Sequence, residues 1–297
     1  VSMNLECGSE IDSDVTLTGD ILDCEENVIL TITADDVILD CNDHVLSGND
    51  VSGILVEGTG VTVKNCNIKI IGDYSSGIHL KSNNNNILNN NVNVGFQAIS
   101  IDSEKTGNVI EENKLIADDT TIQFSSGSYA NTIRNNMIKA NKQQAIRVSY
   151  GNTRHIIENN KISSGIGEVI YLYSSEGTPI EDIIFRGNEF NCGTALITTE
   201  YLGTMEFYNN KINCDKIIND WLSVVDHIDW GVKPHVGERI YTEGNLIGGN
   251  YWTNPSGTGF SDNCIDENFD GFCDEAFEIN EDNLDNYALS NNHVAID

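Results

Sequence analysis

The densest candidate chemistry lies near the C-terminal end, in Asp266-Glu267-Asn268-Phe269-Asp270-Gly271-Phe272-Cys273-Asp274. Oxygen-bearing side chains alternate at Asp266, Asn268 and Asp270 and return at Asp274, with glycine at the sixth position. Alternation lets side chains converge on one hard cation, a main-chain carbonyl (here that of Phe272) adds a ligand, and glycine allows the sharp turn. The spacing predicts a structural Ca2+ site built from Asp266, Asn268, Asp270, Phe272 and Asp274. Phe277 replaces the glutamate that would close such a shell at the twelfth position, which leaves Glu275, Glu278 or Asp262 for that role. A solvated acidic loop without metal is the alternative.

A second candidate is spread along the chain. His79, Ser100, Gln123, Arg147 and Tyr171 recur at nearly constant spacing, each next to an isoleucine; Lys81, Asp102, Ser125, Ser149 and Tyr173 follow two residues later. If Ile78, Ile99, Ile122, Ile146 and Ile170 point inward, strand alternation turns both sets outward into two columns. His79, Gln123, Arg147, Tyr171 and Tyr173 would form a face suited to a glycan. A β-eliminating lyase needs a basic side chain beside carboxylates, and Arg147 or Lys81 with Asp102 is the best such grouping. A hydrolase needs paired carboxylates in distinct environments; Asp118-Asp119 are adjacent and read as turn residues. From Arg134 to His155 the chain carries Lys139, Lys142, Arg147 and Arg154 and no acid, a local basic patch that could receive a uronate or sulfate group of a glycan, or an acidic patch on a neighbouring subunit. Three Met and six scattered His form no soft-ligand cluster for copper.

The elements that must position these residues follow from a repeat. Ile133-Arg134-Asn135-Asn136-Met137-Ile138 has counterparts that place Asn at 90, 113, 136, 160, 188 and 210, with Cys66 in the same position one step earlier. The steps are 24, 23, 23, 24, 28 and 22 residues. A period that regular signals a solenoid. A second short β-branched element recurs in phase, from Gly53-Ile54-Leu55-Val56 to Val169-Ile170-Tyr171-Leu172, so each period reads as two short strands with no helix. Stacked coils lie about 4.8 Å apart, which turns like residues into ladders, and about eight coils are expected. The asparagines are therefore structural: each amide can bond the next, and Asn tolerates the left-handed backbone of tight corners.

The register also pairs the eight cysteines. Cys41 falls in the ladder position one coil before Cys66, and Cys192 and Cys214 each follow a coil-matched residue by two. Cys7 and Cys24 flank the N-terminal segment, and Cys264 and Cys273 flank the acidic loop. Four sequential disulfides are predicted, 7–24, 41–66, 192–214 and 264–273, and they imply an oxidising extracellular or cell-surface location. Residues 1–35 read as an N-terminal cap, 36–214 as coils, 215–244 as an insertion across the rod, and 245–297 as a terminal coil, calcium loop and tail. Within the insertion, Trp221 and Trp230 read as cover for a coil edge. The segment Val1–Cys7 has neither the basic nor the apolar part of a signal peptide, so an exported protein would be read here as its mature chain.

Gly248-Gly249-Asn250-Tyr251-Trp252, the 266–274 loop, Phe277-Glu278-Ile279 and Asp285-Asn286-Tyr287-Ala288-Leu289 together resemble the terminal motif of archaeal and bacterial surface β-helix proteins. Those belong to the NosD-like, pectate-lyase-like superfamily. The stretch from Cys7-Gly8 to Asp40-Cys41-Asn42 is similar to their N-terminal cap. The resemblance implies an all-β, single right-handed parallel β-helix and an exported, often surface-attached protein. It implies no single activity, since the group includes carbohydrate-active enzymes and a copper-maturation factor.

Charge bounds the partners. Against 46 acidic residues stand 16 basic ones, a net charge of −30, which repels nucleic acid and anionic lipid. No apolar run approaches the roughly 20 residues of a membrane span. The two function classes left are a non-catalytic surface protein that binds glycans or neighbouring copies of itself, and a polysaccharide lyase or glycoside hydrolase using the outer face. The tail after Leu289 is expected either to cap the rod or to pair with another copy.

Overall fold

The computed structural model describes residues 1–175, 177–199, 203–219 and 228–291. The chain winds as a right-handed parallel β-helix of about eight coils. Three parallel sheets of ten, ten and nine strands form its faces. Residues 1–35 already contribute strands to all three sheets, and the Cys7–Cys24 disulfide ties them together. All four predicted disulfides are present, and Cys41–Cys66 and Cys192–Cys214 join successive coils as the register requires.

Each full coil carries three strands rather than two. Thr132–Arg134 and Met137–Ala140, which read as one element in the sequence, belong to different sheets and meet at a corner. The corner is made by the residue before the ladder Asn. Asn65, Asn89, Glu112, Asn135, Asn159, Gly187 and Asn209 all have φ between 52° and 64°. The ladder Asn itself is free of that requirement and is buried. At position 187 glycine is needed for space as well, because a Cβ there would sit 2.2 Å from Asn159 Oδ1.

The ladder runs unbroken from coil to coil. Asn113 Oδ1 accepts the Asn90 backbone N–H and side-chain amide at 2.8 and 3.0 Å, and Asn136 Oδ1 does the same for Asn113. The pattern continues through Asn160, Asn188 and Asn210 to Asn250, across a 40-residue step. Asp285 then stands where another Asn would, its Oδ2 accepting the backbone and side-chain N–H of Asn250 at 2.8 and 3.2 Å. A second ladder, Asn85–Asn108–Asn131, lines the preceding corner and ends on His155, whose Nδ1 accepts the Asn131 N–H at 3.2 Å.

Inside, aliphatic columns such as Ile54–Ile78–Ile99–Ile122–Ile146–Ile170–Ile197 are in register and fully buried. Toward the C-terminal end the columns turn aromatic. Phe185, Phe207, Trp230, Trp252, Phe277 and Phe260 form one chain of ring contacts with centroids 4.5–5.5 Å apart. Trp230 comes from the 215–244 segment. There Asp229 bridges Glu206 in parallel, and Trp230 lies over the ring of Phe207 at the coil edge. Trp221, His227 and tail residues 292–297 lie outside the described residues.

Candidate functional site

The outward columns form in the order read from the sequence. Leu55, His79, Ser100, Gln123, Arg147, Tyr171 and Thr198 are register partners along one sheet. The middle of the column is recessed, with Ser100 and Gln123 each only 9% exposed. Gln123 Nε2 donates to Ser149 Oγ at 3.1 Å, which ties the first column to the second. At the C-terminal side the strip becomes an aromatic platform. The Arg147 guanidinium lies 5.5 Å from the Tyr171 ring centre, Tyr171 and Tyr173 stack 6.2 Å apart at 14°, and Tyr150 meets Tyr173 edge-on at 4.8 Å. Flat, amphipathic faces beside hydrogen-bonding groups are what a sugar ring requires.

The grouping of Arg147 or Lys81 with Asp102 does not form. Arg147 and Asp102 lie two coils apart, about 10 Å by the strand spacing. Lys81 Nζ turns to Glu57 at 3.6 Å, whereas Asp102 faces His79 Nε2 at 3.9 Å. Burial lowers the His79 pKa, with Asp102 opposing, so the ring is neutral at pH 7. The basic patch is also partly neutralised from the coil before it. Arg134 pairs with Glu111 at 2.7 Å and Lys142 with Asp118 at 2.8 Å, while Arg147 has no ion pair among the described residues.

A groove that sequence reasoning missed borders the strip where its strands begin. Asp73, Phe96, Asp118, Asp119, Lys142 and Gln143 line about 180 Å3. Hydrogen bonds from Lys142 and Asn141 hold Asp118 below the usual carboxylate range, while burial raises Asp119 against the attraction of Arg147. Exposed Tyr74 lies 6.3 Å from Phe96. The corner residues Asp73, Phe96, Asp119 and Gln143 fall 23, 23 and 24 residues apart, a signal the sequence held. A larger cavity of about 650 Å3 lies elsewhere, beside the Cys264–Cys273 disulfide, rimmed by Glu267, Asp274 and Glu275.

The residues predicted for calcium do lie in one turn. Asp266 Oδ2 accepts the Gly271 N–H at 3.0 Å, Asn268 Oδ1 that of Asp270 at 3.0 Å, and Asp270 Oδ1 that of Phe272 at 2.9 Å. Asp274 turns one oxygen to the Glu267 N–H at 3.0 Å. Among the described residues no three His, Cys, Asp or Glu side chains already converge as a metal site. Nor is any helix among them long and apolar enough to cross a membrane.

A family model described as periplasmic copper-binding protein (NosD) matches residues 30–257, more than three quarters of the sequence. The chain belongs to the NosD family. Its described residues do not fit copper, however. Every cysteine is in a disulfide, and His155 has both ring nitrogens committed, to the Asn131 N–H and to Asn152 Oδ1. His44 faces Asp20 at 2.9 Å, His235 the Lys233 carbonyl at 3.1 Å, and Met205 is in the core. No curated protein matches this NosD-family sequence. Among solved structures it is similar to the Dettilon tailspike protein gp208, at 14% identity over 71% of this chain and 49% of that one, TM-score 0.44. A mutant tailspike protein of E. coli bacteriophage HK620 in complex with pentasaccharide matches at 11% over 74% and 53%, TM-score 0.49. The A-module of the Azotobacter vinelandii mannuronan C-5 epimerase AlgE6 matches at 11% over 75% and 86%, TM-score 0.42. The NosD-family chain spans about half the length of the tailspike chains, and at these identities the likeness concerns the fold.

Proposed function

We propose that this protein is an extracellular or cell-surface β-helix that binds glycan along the face from His79 to Tyr173. The observation that carries this reading is the in-register polar column ending on the Arg147–Tyr171–Tyr173–Tyr150 platform. From His79 to Tyr171 the column spans about 19 Å, four coil steps, long enough for an extended chain of a few sugars. Four disulfides support export to an oxidising space. Of the cations on the strip, Lys81 is turned to Glu57 and Arg147 alone has no ion pair among the described residues, with Asp102, Asp118 and Asp119 nearby, which favours a neutral glycan over a uronate. Self-association through the ends of the rod is the other partner considered for such a surface protein.

The test is a binding panel of neutral and uronate oligosaccharides, read by calorimetry with cleavage products assayed in the same samples. Tyr171→Ala and Arg147→Ala should each weaken neutral-glycan binding about tenfold, the loss of one stacked contact of ~1–1.5 kcal/mol. Lys161→Ala, on another sheet, should leave it unchanged. Equal binding by all four proteins would defeat this assignment of the face.

A glycoside hydrolase is the second reading, favoured by one observation. Asp118 and Asp119 share a groove beside the strip and have pKa values pushed in opposite directions, the condition that separates a base from an acid. Cleavage that disappears in Asp119→Asn while binding persists would select it.

A further inference from the structure

We infer that the 266–274 turn binds one calcium ion, and that the ion locks the strap carrying Arg239 onto the C-terminal end of the rod. The deciding observation is Asp266. Its side chain is 5% exposed, and its Oδ2 reaches across the turn to the Gly271 N–H, which places the carboxyl inside the loop. Its other oxygen, Oδ1, is shut off from solvent and has no hydrogen-bond partner. A buried carboxylate oxygen with no donor is costly, and a hard divalent cation is the partner it lacks.

The rest of the ligand set surrounds that atom in sequence. Asp270 Oδ2 is held only by the Asn268 amide at 3.1 Å, a contact that a cation displaces by turning the Asn268 side chain. Phe272 contributes its carbonyl and Asp274 its second carboxylate oxygen. All are oxygen donors, and the set contains no nitrogen or thiolate, which selects Ca2+ over transition metals. Phe269 holds a left-handed φ of 57° and Gly271 one of 85°, the sharp turn that glycine at the sixth position permits.

Arg239 supplies the mechanical consequence. Its guanidinium is buried behind the turn, donating to the carbonyls of Gly271 at 2.8 Å and Asp270 at 3.0 Å, while Nε donates to Leu246 at 2.6 Å. The ring of Phe272 packs against it at 4.8 Å. The same strap reaches the coil corner beside the ladder, because Asn209 Nδ2 donates to the Glu238 carbonyl and Ile240 N–H to Asn209 Oδ1. A turn fixed by calcium therefore fixes the strap and, through it, the last coils. The rival is that Arg239 alone balances Asp266 and Asp270.

The experiment uses the full chain, stripped with chelator and checked for four intact disulfides. Calorimetric titration with CaCl2 up to ~10 mM covers the weak affinities of extracellular calcium modules, and melting is followed with and without the ion. The expected result is one site per chain, a melting temperature raised by Ca2+ and restored by EGTA, and no such shift with equal Mg2+. Asp266→Asn should abolish the heat. Asn268→Ala keeps every carboxylate and so guards against a folding failure; it should weaken binding at least tenfold. Hydrogen exchange should show that Ca2+ protects residues 238–246 in the wild type and not in Asp266→Asn. No heat and no melting shift would overturn the site in favour of Arg239 as sole counter-charge. Binding without protection of 238–246 would overturn the lock.

Discussion

Replacing Asn136 by Ala tests whether the asparagine ladder holds the coils or merely fills their corners. Asn136 Oδ1 is the acceptor for the Asn113 N–H, and Asn136 Nδ2 donates to the carbonyls of Ile110 and Arg134, both at 2.8 Å. Truncation leaves the Asn113 N–H without a partner in a buried corner, at roughly 1–3 kcal/mol, and takes one bond from each of two carbonyls at about 0.5–1.5 kcal/mol. The Asn113 amide keeps its bonds to Ile87 and Glu111, so it adds little. The expected loss is ~2–6 kcal/mol, measured as the shift in urea midpoint with disulfides intact. Asn91, whose exposed amide bonds Asn67 at 3.2 Å, is the control, and Asn91→Ala should cost under ~1 kcal/mol. Asn136→Asp should be worse than Ala at pH 7, because its second oxygen would face the Ile110 and Arg134 carbonyls. Indistinguishable midpoints for Asn136→Ala and Asn91→Ala would refute the argument.

His155 is fully buried and its pKa is pushed down to about 3 by burial. The unfolded chain binds this proton below about pH 6.5 and the folded chain does not, so stability is present above pH 6.5 and falls toward pH 3, by up to ~5 kcal/mol. His155→Asn, which continues the ladder of Asn85, Asn108 and Asn131, should flatten that part of the pH profile of urea denaturation. Asp285 presents the opposite case. Burial raises its pKa to about 6, yet four N–H donors, from Asn250, Trp252 and Tyr287, face its two oxygens. Asp285→Asn would set an NH2 against a donor, so it should destabilise by ~1–3 kcal/mol at pH 7 even though it removes a buried charge; a more stable variant in thermal melts would show that desolvation dominates.

The coil period was legible because ladder chemistry is strict. A corner that must satisfy the same N–H groups each turn selects Asn at 90, 113, 136, 160, 188 and 210, and neighbouring rungs allow Cys41 and Cys66 to pair. The second ladder was missed because its fourth member is His155, a change of residue type that preserves the acceptor. The third strand was hidden because a left-handed residue such as Asn135 turns the chain within a hydrophobic run that otherwise reads as continuous. The outer columns were legible from strand alternation, but their charge partners were not, since those lie a full coil away. Lys64–Asp40, Lys81–Glu57, Arg134–Glu111 and Lys142–Asp118 are separated by 24, 24, 23 and 24 residues. Subtracting one period from each basic residue would have found them.

The long asparagine column has an electrical direction. Each rung accepts at its carbonyl and donates at its amide toward the next, so the side-chain dipoles from Asn90 to Asn250 add head to tail. The positive end of that column meets the Asp285 carboxylate, much as an anion meets the start of an α-helix. The other end begins at the backbone N–H of Cys66, beside a disulfide. Both terminators are thus fixed chemically, while nothing between them depends on how many rungs there are. Whole coils can be gained or lost from the middle with the ends unchanged, so the length of the rod, and with it the reach of the outer polar strip, is free to vary in units of one turn.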